Sequence, residues 1–419
     1  MLIKRSSCFA LLGFCLFQSA NANSLTNFNE PHANQLIQAL QNQNVHIVQF
    51  GDSHTAADVM TGAMRTKLQN RLGNGGMGWG MPMYFSGQRL DRYGYDNSAW
   101  QPISSRQNRD GNYTLGGLLA IPKMDGATLT IKAKKSEVPQ KLTVSIRQAA
   151  TDGAFEGIDA QGRHFKIEAP IKDNTWQTTE FTAQLPFTIT ANNTDHSAIG
   201  GWWAKNSQGS GAVVSALGIN GAELSFWNRW NHQAINKELA KIAPQLVILA
   251  YGTNEAFNQN LDVNQYKDLL TEKIQQIRYA SPNTAIMIVA APESLTSTQG
   301  ECGVRPSKLT QVQTIQRQVA QQQRTLYWDW QNEMGGSCSM KSWINRGLGR
   351  SDGVHFSEAG YQKIGQALAN DLLNLANLPV QNESSTPNTQ PTSNDVPTYS
   401  APTGSAIICL SGGQSCQKI

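Results

Sequence analysis

A chain of 419 residues, 39% of them apolar and 15% charged, exceeds the usual single domain and can build a sizeable core. Its 34 basic and 30 acidic residues leave a net charge of +4, too even a balance to mark a nucleic-acid partner. Beyond the N-terminus no run of about 18 apolar residues occurs, so no transmembrane anchor is expected.

The chain opens with MLIKRSSCFALLGFCLFQSANA, in which Lys4 and Arg5 precede the apolar run 8–17 and then Ala20-Asn21-Ala22. This is the pattern of a cleavable signal peptide, residues 1–22, too short to span a membrane. Phe14 stands before Cys15 where a lipidation site needs a small residue. Cleavage would leave 397 residues with 32 basic against 30 acidic, for which two domains are expected at roughly 100–200 residues each.

Leu36, Ile37 and Leu40, after Pro31, predict a short helix leading into a strand at 45–50. Past Phe50 come Gly51 and Ser53. Then Val59, Met60, Ala63, Met64, Leu68 and Leu72 recur at helical steps until Gly73, which places Ser53 at a strand-to-helix turn. The glycine-rich 73–81, GNGGMGWGM, lacks the lysine and hydroxyl residue of a phosphate loop and reads as a flexible loop at the entrance to a crevice.

From there the pattern changes to period two. The segments 128–135, 141–148, 164–169 and 179–190 alternate apolar and polar residues between turn clusters, predicting an antiparallel β domain inserted over about 86–200. Trp202 and Trp203, at its seam, read as core, with a sugar subsite as the alternative. Apolar strands at 246–250, 285–290 and 325–330 then alternate with helices marked by Leu269, Leu270, Ile274 and Ile277, by 309–322, and by Tyr361, Ile364, Leu368 and Leu372. Such alternation predicts a parallel sheet covered on both faces, its domain split into 23–85 and 201–378. Residues 379–419 form a low-complexity tail that ends in CLSGGQSC.

Four cysteines lie beyond the signal: Cys302, Cys338, Cys409 and Cys416. An exported chain with an even number favours disulfides, and sequence proximity favours Cys302–Cys338 and Cys409–Cys416 among three connectivities. Zinc is the alternative, but no CxxC pair or nearby histidine supports it, and no metal is expected.

In a parallel α/β sheet the ligand crevice lies at the carboxyl ends of the strands. Ser53 follows one strand and GTNE, 252–255, another, so both face that crevice. A serine hydroxyl needs a base. His54 is adjacent in sequence, but neighbours on a helix diverge, so it reads as structural, as do His46 and Asp329, while Asp52 braces the turn. The base is instead expected from DGVH, 352–355. There Asp352 folds back onto one nitrogen of His355 and the other nitrogen reaches Ser53, in a loop that Ser357 closes by capping the last helix. The oxyanion donors are the N–H groups of Ser53 and Gly221 and the side-chain amide of Asn254.

GDSH at 51–54, the glycine of GINGAE at 218–223, GTNE at 252–255 and DGVH at 352–355 stand in the order of the four blocks of the SGNH (GDSL-type) esterase superfamily, which this chain resembles over most of its α/β portion. The resemblance implies a flavodoxin-like three-layer fold, serine esterase chemistry, and neither metal nor cofactor. The second block departs from the pattern in carrying Glu223 where a hydroxyl residue is frequent, which leaves Gly218 as the rival to Gly221. The β insert between the first two blocks and the GGWWAKNSQGSG stretch are similar to periplasmic peptidoglycan O-acetylesterases. In those the insert is a β sandwich of jelly-roll type resembling a family-35 carbohydrate-binding module. The implied reaction is removal of the C6 O-acetyl of N-acetylmuramoyl residues in the periplasm. The alternatives are an esterase or acyltransferase for another exported polysaccharide, or a glycan-binding protein without catalysis.

Overall fold

The computed structural model describes residues 24–194, 196–380, 407–409 and 416–418, so the signal peptide and most of the tail lie outside it. Six strands form the central sheet in the order Leu25–Asn27, Leu326–Trp328, Ala285–Val289, Leu246–Ala250, Asn44–Gly51 and Gly211–Gly218. All neighbours pair in parallel except the edge strand Leu25–Asn27. Because side chains alternate across a strand, the sheet feeds two cores. Val48, Phe50, Val247, Leu249, Ile286 and Ile288 pack with the helices His232–Ile242, Val263–Ala280 and Leu309–Gln322. Ile47, Leu246, Ile248 and Met287 pack with Ala33–Gln41, Val59–Leu72 and Glu358–Leu375 on the other face. This is the three-layer α/β architecture that the resemblance implied.

The alternating segments form two antiparallel sheets. One runs His164–Ile167, Phe155–Asp159, Phe187–Thr190, Thr128–Ala133 and Tyr93–Ser98. The other runs Trp176–Ala183, Gln140–Arg147, Ala198–Asn206, Leu118–Pro122 and Trp100–Ser104. They face each other as a sandwich, with Phe165 stacked on Phe181 at 4.7 Å and Phe187 edge-on to Trp202 at 5.4 Å. The segment 179–190 is two strands, one in each sheet, parted near Leu185 and Pro186.

The glycine-rich segment corrects an expectation. Gly78–Gly80 is a buried strand paired to Trp202–Ala204, with Met77, Trp79 and Met81 in the core, and not a flexible entrance loop. Its glycines permit close packing: a Cβ on Gly76 would come within 2.6 Å of the Lys205 backbone. Trp202 and Trp203 are buried as well, which settles them as core. The Gly211–Gly218 strand, the His232–Ile242 helix and the Leu25–Asn27 edge are among the elements that had no counterpart in the sequence reading.

Cys302 and Cys338 are joined by a disulfide. Cys409 and Cys416 are backbone partners in a two-stranded ladder, and their side chains lie outside the described residues. Among the described residues no helix is long and apolar enough to cross a membrane.

Candidate active site

Sheet register sets the site. Gly51 pairs with Gly218 on one side and Ala250 on the other, so three strands end level and their following turns rise at one edge. The chain must then fold back sharply. A Cβ on Gly51 would lie 2.2 Å from Thr55 Oγ1, and one on Gly218 2.2 Å from the Ala56 nitrogen. Glycine at both points lets the short helix Ser53–Ala56 sit directly on the strand ends.

Asp52 caps that helix, accepting the His54 N–H at 2.9 Å. Ser53 is 9% exposed, and its Oγ lies 2.9 Å from His355 Nε2. The other imidazole nitrogen, Nδ1, is 2.9 Å from Asp352 Oδ2. The remaining oxygen, Asp352 Oδ1, accepts the N–H groups of Val354 and His355 at 2.8 and 2.9 Å. Burial alone would raise the Asp352 pKa, yet its bond to His355, the imidazole's charge and the two N–H donors bring it down to about 2. The loop is tied at both ends: Arg350 N–H donates to His355 O at 2.8 Å, and Ser357 caps the last helix through Gly360 N–H.

The expected oxyanion donors converge on the same edge. Asn254, second residue of the helix Thr253–Phe257, donates from Nδ2 to Ala222 O at 2.9 Å, which fixes the amide beside the Gly221 turn and leaves its second N–H. Among the described residues the Gly221 N–H reaches no acceptor. Gly218 is itself a strand residue packed under Ala56.

Glu255, which sequence reasoning passed over, clips these turns together. Its two oxygens accept Leu224 N–H at 2.7 Å and Gly252 N–H at 2.9 Å. Burial raises its pKa to about 8, and burial raises that of Asp52 to about 6. His54 is buried with Nδ1 against the Tyr361 hydroxyl at 2.8 Å, and burial lowers its pKa to about 3. Its ring packs 5.5 Å from that of His355, and it is not bonded to Ser53. His46 bonds to Ser215 at 2.9 Å, and Asp329 caps the helix Trp330–Met334. Among the described residues no group of three or more His, Cys, Asp or Glu is arranged to hold a metal.

A parallel α/β sheet whose carboxyl edge presents a hydroxyl, an imidazole and a carboxylate in bonded sequence defines an esterase of the GDSL-like acylhydrolase class, and residues 181–363 match that family. Residues 75–188 match the family described as peptidoglycan O-acetylesterase, N-terminal. A solved structure described as a peptidoglycan O-acetylesterase in action is 37% identical, covers 84% of this chain and 99% of its own, and superposes with a TM-score of 0.77. The chain belongs to the peptidoglycan O-acetylesterase family. More distant are a family two carbohydrate esterase from Cellvibrio japonicus (11% identity, 68% of this chain and 98% of that one, TM-score 0.29) and an acetyl xylan esterase (12%, 38% and 80%, TM-score 0.31). No curated protein sequence matches the chain.

Proposed function

We propose that this enzyme hydrolyses O-acetyl groups on peptidoglycan, at C6 of N-acetylmuramoyl residues, and releases acetate. The observation that carries it is the unbroken bonding from Ser53 Oγ through His355 to Asp352 in a chain of this family. His355 Nε2 takes the Ser53 proton as Oγ attacks the acetyl carbonyl. Asp352 keeps the proton on Nδ1 and offsets the imidazolium charge. The tetrahedral oxyanion receives hydrogen bonds from the N–H groups of Ser53 and Gly221 and from the Asn254 amide. Collapse breaks the ester bond, and His355 returns its proton to the departing sugar oxygen. Water, deprotonated by the same imidazole, then attacks the acetyl-serine, and His355 returns that proton to Ser53 Oγ as acetate departs. The N-terminal sequence and the Cys302–Cys338 bridge support a periplasmic enzyme. The β sandwich, about residues 86–200, serves as the carbohydrate-gripping module.

Acetate release from O-acetylated peptidoglycan, de-acetylated peptidoglycan and acetylated xylan tests this reading. Release from the first, with none from the second and little from the third, is expected. Preference for xylan would move the substrate to another polysaccharide, and no release from any would leave a glycan-binding protein.

A further inference from the structure

A groove of about 490 Å³ lies beside the crevice, a volume within the usual range of ligand sites. Two lining residues fix where it begins. Ala57 directly follows the helix that Ser53 opens, and Glu358 stands three residues beyond His355. Its floor follows the helices Val59–Leu72 and Glu358–Leu375, which pack so closely that a Cβ on Gly365 would lie 2.1 Å from Met60 O. Thr66 and Gln362 face it from these helices, exposed and polar.

The opposite wall comes from residues 89–91 and from Lys134 and Lys135 of the β sandwich. It is firmly held. Arg89 N–H donates to Ala56 O at 3.1 Å, Asp91 N–H to Asp58 Oδ2 at 2.8 Å, and Lys134 Nζ to Leu90 O at 2.9 Å. The same stretch borders the oxyanion turn, because Asn220, next to Gly221, donates its side-chain amide to Gly87 O. A polymer with its acetyl group at Ser53 therefore meets a continuous wall leading from the crevice into the groove.

The lining carries four cations, Lys67, Arg89, Lys134 and Lys135, against Asp58, Asp91 and Glu358. Asp58 is paired with the buried Arg65 at 2.8 Å, and Asp91 lies between Arg92 at 4.0 Å and Lys135 at 3.5 Å. Glu358 accepts a bond from Gln362 at 3.2 Å. Arg89 is exposed, and its backbone is bonded to Ala56, the last residue of the helix that Ser53 opens. With Asp58 held by Arg65 and Asp91 by Arg92 and Lys135, no ion pair among the described residues takes up Arg89 or Lys134, and a guanidinium is suited to carboxylates.

Given the peptidoglycan substrate argued above, we propose that this groove binds the peptide-bearing flank of the glycan strand, with the peptide carboxylates set against Arg89, Lys134 and Lys135. Binding there orients the acetyl group without touching it, and remote binding energy of this kind positions the reacting atoms.

The test compares O-acetylated strands that retain their peptides with the same strands after amidase treatment. For Arg89→Glu, the ratio of kcat/KM on peptide-bearing to stripped strands is expected to fall about tenfold, the order of one charge-assisted contact, through KM. Arg89→Lys should restore most of the ratio, and added salt should lower it in the wild type. An unchanged ratio in Arg89→Glu and in Arg89→Glu/Lys135→Glu would overturn the proposal. A wild type that cleaves an aryl acetate but neither strand would defeat the substrate reading instead. Equilibrium binding of peptide-bearing, de-acetylated strands then still decides the groove: weaker binding by Arg89→Glu upholds it, and equal binding ends it.

Discussion

The two histidines beside Ser53 have opposite surroundings. His355 bonds to both Ser53 and Asp352, whereas His54 bonds to Tyr361 and is kept neutral by burial. Turnover should therefore fall by about 10³-fold or more in His355→Ala, while His54→Ala keeps more than about a tenth of it and loses stability from an emptied buried site. Esterase assays with thermal melts check this, and the reverse ordering would contradict it. A second residue-scale expectation concerns Glu255 and Asp52, whose ordinary pKa values of 4.5 and 3.8 rise to about 8 and about 6 in the folded protein. The folded state then holds protons that the unfolded chain releases. The resulting stability is full below about pH 4 and is lost as pH rises through 6 and 8. Asp352 acts the opposite way and only on acidification toward pH 2, outside this window. His54, held near 3 by burial, opposes this slope below its ordinary 6.5, so melting temperature should decline from about pH 6.5 to 8, and Glu255→Gln should flatten the decline; an identical slope in the variant would contradict it. DGVH was legible because two intervening residues dictate a local fold. Glu255 was not, since the N–H of Leu224 comes from a turn 31 residues earlier.

Elements hold one another through a few buried groups. Glu238, on the helix His232–Ile242, accepts Ser145 Oγ and Trp203 Nε1 at 2.6 Å, Leu115 N–H at 3.2 Å and the Thr114 hydroxyl, all from outside the parallel sheet. Glu238→Ala would strand four buried donors, at about 1–3 kcal/mol each if none finds a new partner. Chemical denaturation should show a loss of at least about 3 kcal/mol on the same basis, and a change under about 1 kcal/mol would contradict the clamp. The disulfide is linked to the loop that carries Asp352 and His355. Leu295 N–H donates to Gly353 O at 2.8 Å, and the loop that follows is bonded through Cys302 to Cys338. Opening this bridge, which spans 36 residues, should cost up to about 4 kcal/mol by chain-entropy reasoning and slow ester cleavage. Unaltered melting and turnover after reduction would refute the link. Strands such as Leu246–Ala250 were legible as apolar runs. Gly78–Gly80 was not, because its glycines signal looseness in sequence and are used here for close approach between strands.

The whole molecule is built on a shared core. Apolar residues of the β sandwich, Trp79, Trp202 and Trp203 among them, join the same cluster as Phe50, Leu249 and Ile288 of the parallel sheet. The fold class was legible because period two and period 3.6 segregate along the chain. Trp202 and Trp203 were legible as seam core, while Trp79 was not, since its glycine-rich surroundings signal a loop. Four blocks spread between residues 51 and 355 then reach one edge, three because Gly51, Gly218 and Ala250 stand level in the register and the fourth through the bond from His355 to Ser53. The central claim, that Ser53 is the nucleophile these elements converge to activate, is most directly tested by treating the enzyme with a serine-directed phosphonate and mapping the adduct by mass spectrometry. The expected result is a single adduct on Ser53, absent from Ser53→Ala and strongly slowed in His355→Ala. An adduct on another serine with full loss of esterase activity would contradict it.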